Sequence, residues 1–67
     1  MIIQLVVINR RDKRQYWIDK YMSITTKYKK ALTTSDTVKV AKIVQRFTQA
    51  FRIIVLTNDG EVIKYYA

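Results

Sequence analysis

The chain has 67 residues, with 13 Lys and Arg against 5 Asp and Glu, for a formal net charge of +8, and it contains no Cys, no His, no Pro and one Gly. These absences exclude a disulfide framework and a Cys- or His-based metal site, and they remove the commonest general base. Neither a metal, a cofactor nor catalysis is expected.

Residues 1–67 make one domain at most. A chain this short buries only about 60% of its unfolded surface, and with no staple to reinforce it a homodimer is one route to stability. Between Arg10 and Arg52 lie 12 of the 13 basic residues and only three acids, Asp12, Asp19 and Asp36. Such density favours a polyanionic partner: DNA, RNA or an acidic protein surface. Its sign excludes a mimic of DNA. The plainer reading is that net charge serves solubility. No apolar run approaches the roughly 20 residues that span a bilayer. The basic residues follow the N-terminal apolar stretch, whereas in a secretory signal they precede it. The expected compartment is the cytoplasm.

In chain order, Met1 to Asn9 is rich in Ile and Val and predicts a strand. Arg10 to Arg14 is a polar break. Gln15 to Ile24 is aromatic and β-branched, which predicts the second strand of a hairpin. A four-residue loop sets Val7 opposite Tyr16, Leu5 opposite Ile18 and Ile3 opposite Lys20. On the other face Ile8 meets Gln15, Val6 meets Trp17 and Ile2 meets Tyr21. Both faces of the hairpin are then apolar, and one helix covers only one of them. The competing reading is a helix over Lys13 to Met22, with Trp17 and Tyr21 spaced i, i+4. Thr25 to Thr34 reads as loop, with a short helical turn at Tyr28 to Leu32.

Ser35 to Arg52 predicts one long amphipathic helix. Val40, Ile43, Val44, Phe47, Ala50 and Phe51 share one arc, and Lys39, Lys42 and Arg46 lie on the opposite half. Ser35 is placed as the N-cap, with Asp36 in the first turn, where the helix dipole favours it. Ile53 to Thr57 predicts a strand, Asn58-Asp59-Gly60 a turn, and Glu61 to Tyr66 the returning strand. A three-residue loop pairs Val55 with Ile63 and Ile53 with Tyr65. The expected fold is α+β, ordered ββαββ, with a small antiparallel sheet and one main helix packed on one face.

From Tyr16 to Phe47 the chain resembles a loose group of small, mostly uncharacterised proteins encoded by phages and prophages. Tyr16 and Trp17 supply the aromatic strand, Lys29, Lys30 and Ala31 the lysine-rich turn, and Thr34, Ser35 and Ala41 the capped, alanine-spaced helix. Val40 stands where that group carries an acidic residue before the alanine. The resemblance implies an accessory phage protein, acting in the host cytoplasm, and implies no chemistry. The tail from Ala50 is also similar to the closing strands of Cro-type repressors. The upstream chain lacks the paired short helices of a helix-turn-helix.

Candidate phosphate contacts are Arg10, Arg11, Lys13 and Arg14 at the hairpin tip and Lys39, Lys42 and Arg46 on the helix. Arginine forks fit phosphate oxygens in pairs, and basic tips and stripes also occur as plain solvated surface. Val6, Trp17 and Tyr21 form a candidate partner or dimer interface. The two aromatics are open to three roles: base stacking, a protein contact, or core. Two functions follow. One is a basic, non-catalytic module contacting nucleic-acid phosphates. The other is a phage protein that binds a host protein and inhibits or redirects it.

Overall fold

The computed structural model describes residues 1–67. Its strands are β1 (Ile3–Asn9), β2 (Gln15–Ile18), β3 (Ile24–Thr25), β4 (Phe51–Thr57) and β5 (Val62–Tyr66), with one α-helix, α1 (Thr37–Phe47). They form a single antiparallel sheet in the order β3-β2-β1-β4-β5. The helix packs on one face, as the sequence predicts. The two-residue β3 is an addition to the expected four strands, too short to leave a periodic signal.

β1 is the central strand, and its Ile/Val content suits a place between two neighbours. It pairs along its whole length with β4, from Ile3↔Thr57 to Asn9↔Phe51. On its other side Val6↔Trp17, Val7↔Tyr16 and Ile8↔Gln15 pair in the expected register. The loop closes through Asn9 N–H to Arg14 O and Lys13 N–H to Asn9 O, both at 2.9 Å. Inside it, Asn9 Oδ1 accepts from the Arg11 and Asp12 amides and Asp12 Oδ1 from the Arg14 amide, the local bonding that makes these side chains good turn formers. The strand at Gln15–Ile18 rules out the helical alternative for Lys13 to Met22.

Past Trp17 the hairpin splays, and the expected pairs Leu5–Ile18, Ile3–Lys20 and Ile2–Tyr21 do not form. The segment Ala31–Thr34 enters the gap. Leu32 N–H donates to Ile18 O at 2.7 Å, and Ile3 and Thr34 exchange bonds of 2.8 and 3.0 Å. This places Leu32 in the core, and the insertion satisfies backbone groups that the splayed strands would leave unpaired. Tyr21 leaves the sheet for the turn between β2 and β3, where Asp19 Oδ1 accepts from the Tyr21 and Ser23 amides. The helical turn expected near Tyr28 is a 3-10 turn over Tyr28–Lys30.

The helix is shorter than its periodicity implies. Asp36, and not Ser35, is the N-cap: its Oδ1 accepts from Val38 N–H at 3.0 Å and Lys39 N–H at 3.1 Å. The helix ends at Phe47, so Ala50, Phe51 and Arg52 lie outside it. Phe51 fits both periods, being i+4 from Phe47 and i−2 from Ile53. It joins the sheet opposite Asn9 and still meets the helix, with its ring 5.8 Å from that of Phe47. Ile43 is the fully buried helix residue, packed with Leu5, Val7, Ile18, Ile53 and Val55. Each such side chain contributes roughly 1.5–3 kcal/mol on burial.

β4 turns into β5 through Asn58–Gly60, with Thr57 N–H to Glu61 O at 2.8 Å and Gly60 at φ 91°. The loop length is the expected one, but the register is not. Leu56 pairs with Val62, and the ladder then slips to Val55↔Lys64, Ile54↔Tyr65 and Ile53↔Tyr66. A bulge at Ile63 replaces the expected Val55–Ile63 and Ile53–Tyr65 pairs. It turns Tyr66 toward the core and sends Tyr65 to the opposite face.

Candidate nucleic-acid interface

Strand directions decide where the charges go. The β1–β2 tip, the exit of α1, the start of β4 and the end of β5 all lie at one end of the molecule. Arg10, Arg11, Arg14, Arg46 and Arg52 are therefore gathered there, and they are every arginine of the chain. Lys13 joins them. Of the five acids only Asp12 sits at this end, and its Oδ1 accepts from the Arg14 backbone. Asp19, Asp36, Asp59 and Glu61 belong to turns and the helix start at the far end. An unbroken sequence pattern could not show this, because Arg46 and Arg52 reach the tip only through the fold.

The arginines differ in freedom. Arg10 is half-buried, and its Nη2 donates to Thr48 O at 2.9 Å and to Ala67 O at 3.1 Å. Thr48 is the C-cap of α1, where a cation is favoured by the helix dipole. Arg10 thus has a structural task beside any part in binding. Arg11, Lys13 and Arg14 are exposed, as is Arg46, whose guanidinium lies 5.5 Å from the Phe47 ring centroid. Lys13 has φ 64°, a left-handed conformation, and its Nζ donates to Arg10 O at 2.9 Å. A shallow cleft bounded by Asn9, Arg10, Arg11, Asp12 and Ala50 opens beside the tip.

The helix stripe does not stay together with the tip. Lys39 stands near the helix start, half-buried, at the far end, and Lys42 is midway and exposed. Only Arg46 reaches the arginine end. A second basic group, Lys20, Lys29 and Lys30, rims an open cleft of about 670 Å³ at the far end, but Asp19 lies within it.

The sheet face away from α1 carries no α-helix. Val6 lies there, 3% exposed, between half-buried Trp17 and Ile54. Tyr21 does not share this face. Tyr28 takes its place, packing edge-on against Trp17 with ring centroids 5.0 Å apart. Tyr65 completes the row on β5. The sequence places Tyr28 in a helical turn and Tyr65 opposite Ile53, and marks neither as a residue of this face. The 3-10 turn and the bulge that place them have no periodic signature. No group of three or more acids comes together to hold a metal ion, and no helix is long and apolar enough to cross a membrane. In comparisons with known proteins, no family model, curated protein or solved structure matches the chain.

Proposed function

We propose that this protein is a small, non-catalytic binding module that contacts nucleic-acid phosphates through its arginine end. The observation that supports the reading most is the gathering of every arginine at the pole that holds a single acid. Arg11, Arg14 and Arg46 present exposed guanidinium groups there, with the Lys13 ammonium beside them, and paired N–H donors of arginine suit phosphate oxygens. Contacts of this kind hold and orient the nucleic acid without reading its sequence. The resemblance to phage-encoded proteins suggests an accessory role in an infected cell. An acidic surface on a host protein is the competing partner.

Salt dependence tests the proposal. Three phosphate contacts give a slope of about −2 to −3 in log K against log salt, or roughly a 15- to 60-fold loss between 50 and 200 mM. The measurement is fluorescence anisotropy with labelled oligonucleotides. Arg11→Ala with Arg14→Ala should shallow the slope by about one to two and weaken every sequence alike. Unchanged binding by that double variant rejects the arginine end as the contact.

A further inference from the structure

We infer that the sheet face opposite α1 is a stacking platform for single-stranded nucleic acid, so that the partner is a single strand rather than a duplex. This rests on the proposed phosphate-binding function. The ladder fixes a row across the sheet: Trp17, Val6, Ile54 and Tyr65 lie side by side on β2, β1, β4 and β5. Ile54 is the half-buried aliphatic centre of the row, Val6 is closed in beside it at 3% exposed, and an aromatic residue stands on either side, Trp17 with Tyr28 packed edge-on against it and Tyr65. Three inter-strand steps of about 4.8 Å put Trp17 and Tyr65 about 14 Å apart. That span accepts one or two unstacked bases, whereas the bases of a duplex are already stacked on one another and offer it no free face.

Charge complementarity favours this occupant. Arg52 pairs with Ile8 on the same face, one step toward the arginine end. It connects the platform to the phosphate-binding pole, and none of the face's strand residues is acidic. A strand whose phosphates lie at the pole can lay its bases on the row. A second copy of the chain is disfavoured. Five strands of about five residues offer a footprint of roughly 400 Å², half of the about 800 Å² per partner of a standard protein interface. Two chains of +8 would also have to meet.

Trp17 is the sole tryptophan, so its fluorescence reports on the platform without a label. The test titrates the protein with an unstructured oligothymidylate and with a duplex of equal length. The expected result is quenching by the single strand, weaker binding of the duplex, and a loss of roughly five- to a hundredfold in single-strand affinity for Tyr65→Leu. Tyr65 is 49% exposed on an edge strand, so this variant should fold. Tyr65→Phe should restore affinity. Equal binding of strand and duplex, with Tyr65→Leu as tight as the parent, overturns the platform while leaving the arginine end intact. Loss of salt-dependent binding to both forms overturns the two together. Self-association that Tyr65→Leu abolishes, in a protein that does not quench, assigns the face to a second copy instead.

Discussion

The Nη2 of Arg10 donates to the carbonyl oxygen of Thr48 at 2.9 Å, across 38 residues of sequence. The bond joins the hairpin tip to the exit of α1. It makes Arg10 a strut among residues that otherwise point to solvent. Arg10→Ala should lower stability by about 1 kcal/mol, which for a domain of this size is a fall of about 4–8 °C in Tm. Arg11→Ala and Arg14→Ala should stay within about 0.5 kcal/mol of the parent. Thermal unfolding followed by circular dichroism checks this; equal effects at the three positions would deny Arg10 its separate role.

The helix cap gives a second prediction. Asp36→Ala should cost about 1 kcal/mol, because two amides of the first turn lose their acceptor. Ser35→Ala should be nearly neutral. Urea midpoints of the two variants separate the observed cap from the one that the sequence suggested.

Ile43 is the fully buried residue of α1, and it packs into the core beside half-buried Val40, Val44 and Phe47. Ile43→Ala should cost about 2–5 kcal/mol, enough to unfold much of so small a domain. Val38, on the same helix but 62% exposed, should tolerate Ala with little change. Near-UV circular dichroism of the Tyr and Trp bands reports the difference.

Gly60 has φ 91° and nothing within 4 Å of where a Cβ would stand. The cost of Gly60→Ala is therefore conformational alone, about 1 kcal/mol. Gly60→Asn should cost less, since Asn tolerates a positive φ better. A denaturation series over Gly, Asn and Ala in that order of stability is expected.

Much of this fold is legible in the residues, because each legible part has a local cause. The four-residue loop between Asn9 and Arg14 fixes the β1–β2 register at Val6, Val7 and Ile8. Helical spacing marks Val40 to Phe47, and Asn58-Asp59-Gly60 marks the turn. The misread parts are those where two patterns compete or none exists. Phe51 satisfies helix and strand spacing alike. The bulge at Ile63 moves two tyrosines with no change in composition. Leu32 is one apolar residue among threonines and lysines, yet it draws its segment between two strands. The candidate site was half legible. Arg11, Lys13 and Arg14 stand out as a basic run, whereas Arg46 and Arg52 join them only in three dimensions. Tyr28 and Tyr65 enter the sheet face through packing that no spacing encodes.

The most direct measurement is an NMR titration of isotope-labelled protein with a short single-stranded oligonucleotide at physiological salt. Binding at the arginine end predicts that the largest shifts fall on the amides and side chains of Arg11, Lys13, Arg14, Arg46 and Arg52, with the Trp17 indole moving alongside. Shifts centred instead on Lys20, Lys29, Lys30 and Lys39, or none at any position, would contradict it.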